Sequence, residues 1–338
     1  MVTSKDVARV AGVSQSTVSY VMSGRRPISE KTRRRVEAAI DQLTYQPNAG
    51  ARALASQRTQ VIGLVVPFEP NDDTKGLLPF IETIAACARE QDHDVLLVTA
   101  DEGAAGLHRL ARRSLCDAIV MMDIGAVDER IPVARSLGVP VILIGVPDDP
   151  AGLHCVDVDF VEAGRMATAE LAACGHDRIV VVGHSPATVA RRVNYVGRFQ
   201  RGVDDAVAEL GLSCQVVAPV PPGRAGAAAA VDAALAGGGH SVGIAVPNTS
   251  AIQFVLHELH ERGIEVGSDV SVVGVCPDVV AESTFPPVSN VSLEPRDVSR
   301  QAMQILFGLL DRERTPPEAS VELVMPHLTR RRTSLPHP

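Results

Sequence analysis

The chain has 338 residues, 46% of them hydrophobic and 21% charged, with three Tyr, seven Phe and no Trp. That balance excludes a disordered chain and leaves room for two or three domains, each long enough to bury a core. The net charge of −8 argues against a nucleic-acid partner when taken alone. Its distribution reverses the inference: residues 1 to 60 carry ten Lys or Arg against four acids, a net of +6, leaving −14 for the remainder. A basic head on an acidic body suits a chain that holds a polyanion at one end and keeps its body clear of it.

In chain order, Lys5 to Val10 predicts a short helix with Val7 and Val10 apolar and Ala8 small enough for a close crossing. Gly12 permits the positive φ of a tight inter-helix turn, Val13 plugs the corner, and Ser14 is placed to cap a second helix. In that helix Val18, Val21 and Met22 share one face, leaving Gln15, Ser16, Ser19 and Tyr20 on the other. A polar, uncharged outward face fits base edges better than phosphates. Ser29 caps a third helix from Glu30 to about Leu43, whose start is made basic by Arg33, Arg34 and Arg35. The expected core of this small domain is Val7, Val13, Val18, Val21, Val36, Ile40 and Leu43. Tyr45-Gln46-Pro47-Asn48 ends it, since the residue before a proline is pushed out of helical space. Asn48 then caps Ala49 to Ser56, a stretch of helix formers interrupted by Gly50. So short a helix is marginal in water and should form only against a partner. Leu54, flanked by Ala51, Ala53 and Ala55, is its one large apolar side chain and could serve as a minor-groove wedge.

From Val61 onward, apolar runs alternate with helical stretches. Strands are predicted at Val61–Val66, Val95–Thr99, Ala118–Met122, Val141–Ile144 and Cys155–Val158, with helices near Pro79–Gln91, Leu107–Ser114 and Ile131–Leu137. A second series adds strands Ile179–Val182, Cys214–Val217, Val242–Val246 and Val270–Val275 among helices Val161–Cys174, Gly197–Leu210, Ala225–Ala236 and Ser250–Arg262. Near-continuous apolar strands spaced by helices imply parallel sheets covered on both faces. Two such series imply an α/β fold of two doubly wound lobes with a cleft between them. Val291 to Leu293 and the helix Arg296 to Leu310 are expected to return to the first lobe.

Some motifs point elsewhere and fail on inspection. Gly183-His184-Ser185-Pro186-Ala187 follows a strand like a nucleophile elbow, with His327 downstream, but Ala187 replaces the final glycine and Pro186 takes the start of the helix. Gly237-Gly238-Gly239-His240 lacks a following Lys-Ser or Lys-Thr and precedes a strand rather than a helix, which argues against phosphate cradling. The ten histidines show no ligand spacing, so no metal or cofactor is expected. Six cysteines without a Cys-x-x-Cys pair read as core thiols in a reducing cytosol, and no segment has the length and apolarity of a membrane span or a signal peptide.

Thr3-Ser4-Lys5-Asp6-Val7-Ala8, Ala11-Gly12-Val13-Ser14, Thr17-Val18-Ser19, Ser29-Glu30-Lys31-Thr32-Arg33, Tyr45-Gln46-Pro47-Asn48 and Ala51-Arg52-Ala53-Leu54-Ala55 resemble, without a gap, the head and hinge of the lac repressor and galactose repressor (LacI/GalR) family. The resemblance extends through Ala173-Cys174-Gly175-His176, Val246-Pro247-Asn248, Asp269 to Gly274 and Phe285-Pro286-Pro287. It implies a periplasmic-binding-protein-like body behind a helix-turn-helix head. The implied divisions are a head at 1–46, a hinge at 47–60, and a core at 61–332 with a first lobe of about 61–160 and 292–322. The second lobe is then about 161–291 and 323–332, followed by a tail at 333–338.

The same resemblance implies a hinge that folds on DNA, with leucines of two subunits prying open the central base step. Leu54 is the matching position. The residues expected at DNA are Thr3, Ser14, Gln15, Ser16, Thr17, Ser19, Tyr20, Ser29, Thr32, Arg33, Tyr45, Asn48, Ala51, Leu54 and Ala55. Many relatives carry arginine where Tyr20 stands, and Tyr20 offers one hydroxyl and a ring instead of a bidentate fork.

In relatives that bind sugars, an arginine, an asparagine and an aspartate of the second lobe grip hydroxyls. Asn248 matches the asparagine, while Thr249 replaces the acid after it, Cys276 and Pro277 replace a pair of acids with Asp278 displaced, and Arg198 is out of register. With Phe68 as a stacking face, the residues expected at the effector are Phe68, Arg198, Asn248, Cys276 and Asp278. Losing polar grips makes an ordinary hexose a poor fit. The implied protein is a cytoplasmic, nucleoid-associated homodimeric repressor on a near-palindromic double-stranded DNA operator, without enzymatic activity or membrane contact. A small molecule, a sugar or derivative among the candidates, controls it. An activator of the same fold and a cytoplasmic metabolite-binding protein remain as alternatives.

Overall fold

The computed structural model describes residues 2–23, 26–45, 58–68, 76–236, 242–311 and 318–335. The head contains α1 (Ser4–Ala11), α2 (Gln15–Ser23) and α3 (Glu30–Leu43). Thr3 and Asp6 form a reciprocal capping box at the start of α1, and Gly12 ends that helix in left-handed space at φ 61°. The Arg35 guanidinium donates to the carbonyls of Ala11 and Gly12 at 2.5 and 3.2 Å, so α3 braces the turn that sets α2 against α1. Val7, Ala8, Ala11, Val18, Val36 and Ala39 are buried together, with Val13, Val21, Ile40 and Leu43 packed against them. Met22, expected on this inner face, is instead 37% exposed, because the helix turns it past the edge of so small a core. Helix α3 stops at Thr44, itself left-handed at φ 46°, before the proline signal is reached. The expected hinge, with Asn48, Ala51, Leu54 and Ala55, lies outside the described residues, as does the glycine run at 237–239.

The chain re-enters at Arg58, which donates to the Leu310 carbonyl. Next to it the backbone N–H groups of Thr59 and Gln60 and the Thr59 hydroxyl all donate to the Asp117 carboxylate at 2.7 to 2.9 Å. Residues 58–60 are thereby fastened to the first lobe.

The first lobe is a sheet of β1 (Val61–Val66), β2 (Asp94–Thr99), β3 (Ala118–Met121), β4 (Val141–Ile144), β5 (His154–Val158) and β11 (Val321–Val324). Its order is β11-β5-β4-β3-β1-β2, parallel throughout. Helices α4 (Leu78–Glu90), α5 (Gly103–Arg112), α6 (Arg130–Ser136) and α13 (Pro295–Leu310) cover it.

The second lobe has β6 (Arg178–Val182), β7 (Ser213–Val217), β8 (Val242–Val246), β9 (Val270–Val275), β10 (Ser289–Val291) and β12 (Leu328–Thr329) in the order β12-β10-β9-β8-β6-β7. Only β12 runs antiparallel to its neighbour. Its helices are α7 (Phe160–Ala173), α8 (Pro186–Arg191), α9 (Asn194–Leu210), α10 (Arg224–Leu235), α11 (Ile252–Glu261) and α12 (Asp278–Ser283). Helices α7 and α9 cross at glycines: a Cβ on Gly202 would fall 1.9 Å from the Val161 carbonyl oxygen, and one on Gly164 2.3 Å from that of Phe199.

The polypeptide crosses between lobes after β5, after β10 and after β11, and these crossings correct the sequence reading in three places. The strand expected at Val291 to Leu293 is Ser289–Val291, and it stays in the second sheet beside β9; only α13 belongs to the first lobe. Ser289 and Asn290 hid it, being polar yet fully buried and hydrogen-bonded. Leu323, assigned to the second lobe by the family resemblance, pairs with Asp157 in the first sheet as part of an exposed edge strand, so the crossing comes after Val324. The tail does not begin at 333. Thr333 and Ser334 are fully buried; the Thr333 hydroxyl donates to the Val272 carbonyl at 2.7 Å, and Ser334 donates to Glu170 at 2.8 Å. Arg330 also meets Glu170, at 2.8 Å, so the basic residues there close the second lobe.

Candidate DNA-reading face and inter-lobe cleft

Both candidate sites follow from the local chemistry of helix starts and strand ends. In the head, Ser14 accepts from the Thr17 N–H at 3.1 Å and so caps α2. The Gln15 amide donates to the Ser4 hydroxyl at 2.8 Å and ties the first turn of α2 to the start of α1. Ser14, Gln15, Ser16 and Ser19 are exposed, and Thr17 and Tyr20 half-buried. The Arg26 guanidinium lies 5.4 Å from the centre of the Tyr20 ring, setting a cation beside the side chain that replaces the usual arginine. Thr3 occupies the capping box of α1, and the Thr3 hydroxyl and N–H hold the Asp6 carboxyl below the usual range. Ser29 accepts from the Thr32 N–H and shares a hydroxyl contact with it, while Arg33 is exposed. Tyr45 packs against the head's core, so its ring serves the fold as well as any contact outside it.

The cleft lies where strand C-termini of the two lobes converge, the usual place for ligands in open parallel sheets. It has a volume of about 250 Å³. Residues after β3 and β4 supply Asp123, Ile124, Gly145 and Val146, and the end of β5 supplies Asp157; residues after β6 and β8 supply His184, Ser185, Pro247 and Asn248. One side is clasped by backbone. Ala126 donates to the Arg192 carbonyl and Asn194 to that of Ile124, both at 3.0 Å, and Gly125 and Val193 form an antiparallel bridge between the lobes. The Asn194 amide adds a bond to the Val146 carbonyl, and Arg191 pairs with Asp123 at 3.0 Å.

Of the five residues expected at the effector, Asn248 lines this cleft. Its amide donates to the Gly183 carbonyl at 3.2 Å and its oxygen accepts from Ser250 at 2.7 Å. The other four sit elsewhere. Arg198 is buried behind the wall, paired with Asp157 at 2.6 Å, donating to the Val158 carbonyl and lying 5.8 Å from the centre of the Phe160 ring. Cys276 is wholly inside the second-lobe core, where burial pushes its thiol up to about 12. Asp278 accepts from Asn290 at 3.0 Å and faces His327 and Arg331 at 3.3 and 3.5 Å. Phe68 is 39% exposed and is not part of the lining. The displaced family positions are thus used for packing and internal pairing.

Sequence reasoning missed the aromatic wall and the histidine within it. Phe160 and Tyr195 stack with ring centres 5.1 Å apart, and His184 meets Tyr195 edge-on at 5.4 Å. Burial pushes the His184 imidazole down to about 4, and Asp157, the most buried acid of the cleft, is pushed up to about 6, with Arg198 restraining part of that rise. His184 was visible within the false nucleophile elbow. Ser185 there caps α8 through the Thr188 N–H, and His327 contacts Glu294 and Asp278, so the two do not form a catalytic pair.

Residues 3–48 match the family model for bacterial regulatory proteins of the lacI family, and residues 168–334 match the periplasmic binding protein-like domain. The HTH-type transcriptional regulator RafR of Escherichia coli is 31% identical over 317 residues, spanning 90% of this chain and 92% of the relative. The HTH-type transcriptional repressor PurR of Vibrio atlanticus is 26% identical over 339 residues, spanning 96% and 97%. Among solved structures, the lac repressor dimer bound to operator and the anti-inducer ONPF aligns over 99% of both chains with a TM-score of 0.83 at 22% identity, a likeness of fold.

Proposed function

The chain belongs to the LacI family of DNA-binding transcriptional regulators, and from that premise we propose that it is a homodimeric repressor. Its two heads bind a near-palindromic operator in the cytoplasm, at the nucleoid, under the control of a small molecule in the inter-lobe cleft. The observation that carries this reading is the exposed, polar and uncharged face of α2, fixed to α1 by Gln15 on a head of net positive charge. Such a face presents donors and acceptors to a major groove while the surrounding lysines and arginines meet phosphates. The repressor named among its relatives supports the direction of control.

A dimer is supported by an apolar patch on the second lobe. Phe285 is 84% exposed, Val279 55% and Phe254 37%, and the Gln253 side chain accepts from the Phe285 N–H, which brings these elements together. Large apolar side chains left exposed on neighbouring elements favour an association site. Control follows by population shift: a ligand that favours one lobe arrangement changes the spacing of the two segments leading to the heads. No catalytic step enters this scheme.

Selection of the full chain on randomised duplex DNA tests it. The expected product is a pair of inverted half-sites whose centres are a helical turn or a multiple apart. Enrichment of a single asymmetric half-site, or of none, would reject the dimeric operator reading.

A further inference from the structure

The chemistry of the cleft narrows what it holds. Phe160, Tyr195, Phe199, Leu77, Phe80 and Ile144 give the cavity an apolar lining. Its polar groups are for the most part already engaged: Asp157 with Arg198, Asp123 with Arg191, and Asn248 with Gly183 and Ser250. A polyol would bring several hydroxyls to groups that have partners, and each hydroxyl buried unpaired weakens binding by roughly tenfold. The paired charges leave no surplus charge to receive an ionic ligand. His184 differs. It is 8% exposed, lines the cavity, and its Nε2 has no hydrogen-bond partner among the described residues. Such a buried, unpartnered nitrogen calls for one polar atom from a ligand.

We propose that the effector is a compact, neutral aromatic alcohol whose ring lies against Phe160 and Tyr195 and whose hydroxyl bonds to His184 Nε2. The inference rests on the reading of the cleft as the effector site. A hydroxyl fits whichever imidazole nitrogen carries the proton, because it both donates and accepts. The aromatic wall supplies offset and edge-on ring contacts.

The full chain contains no Trp, so the emission of 2-naphthol reports binding without background from the protein's own indoles. Saturable binding of 2-naphthol is expected, weakened about tenfold in His184→Leu, while naphthalene, which lacks the hydroxyl, binds wild type and variant alike. Equal 2-naphthol affinity for wild type and variant overturns the proposal, as does failure of 2-naphthol to bind. Mobility shift on the selected operator separates the two readings. If 2-naphthol binds through His184 yet leaves operator affinity unchanged, the effector reading of the cleft fails and the ligand chemistry stands. If glucose or galactose alters operator affinity and 2-naphthol does not bind, the effector reading stands and the aromatic alcohol falls.

Discussion

His184 ties ligand chemistry to stability at the scale of one residue. Burial holds its folded imidazole near 4, against 6.5 when exposed. Between those values the unfolded chain takes up a proton that the folded chain refuses, so folding stability is lost as pH falls from 6.5 toward 4. The full loss is about 3 kcal/mol. Asp157 acts with the opposite sign: raised to about 6 from 3.8, it adds stability as pH falls through the same window. Because Asp157 is unchanged by a substitution at position 184, comparison of wild type with His184→Leu isolates the histidine. Urea unfolding at pH 7 and pH 4.5 should show the variant losing less stability than wild type on acidification; an equal loss in both would mean that the imidazole is not held neutral. Arg198 shows why other site residues resisted sequence reading. Its charge was legible, but whether a guanidinium faces a ligand or an internal acid depends on Asp157, 41 residues away.

Among the elements, the clasp formed by residues 123–126 and 191–194 is the most informative, and nothing in its sequence announced it. Its bonds are mostly between backbone groups, which any side chains could accompany. Asp123 and Arg192 adopt φ of 57° and 51°, a left-handed geometry that costs non-glycine residues of order 1 kcal/mol each. That cost is held by the ion pair of Arg191 with Asp123, in which the acid is 10% and the arginine 26% exposed. Arg191→Ala should therefore speed hydrogen exchange at the Ala126 and Asn194 amides by about tenfold, with the β8 and β9 amides unchanged. Uniform exchange across all four sites would show that the clasp opens only with the lobe itself.

Strands β1 to β9, by contrast, were legible to within a residue at each end, because a parallel strand covered on both faces must be continuously apolar, whereas β11, an edge strand with exposed residues, was not read as a strand. Helices α8 and α12, of six residues each, are too short to show a helical period. Strand β10 was misplaced because its buried residues are polar. In the head, every residue of the expected core belongs to the apolar cluster; of the outward face of α2, Gln15, Ser16 and Ser19 are exposed while Tyr20 is half-buried, with Arg26 beside it as the unforeseen feature.

For the whole molecule, charge separation and the apolar patch of the second lobe make a joint prediction about operator binding. A body of net −14 is repelled by phosphate, so attraction must come from the heads, and one head offers few contacts. If two heads together neutralise about eight phosphates, log K falls with log salt at a slope of about −7. A monomer keeps only one head on DNA and about half that slope. Phe285, at 84% exposure, is the most accessible residue of the patch, and a charge there would be buried unpaired in any interface built on it. Phe285→Glu should thus convert a dimer to a monomer in sedimentation velocity and roughly halve the salt slope of operator binding. Thermal stability should stay close to wild type, since the side chain adds little to the lobe's own core. A variant that remains dimeric would remove this patch as the interface. A monomer that kept the full slope would show that phosphate contacts are not divided between two heads.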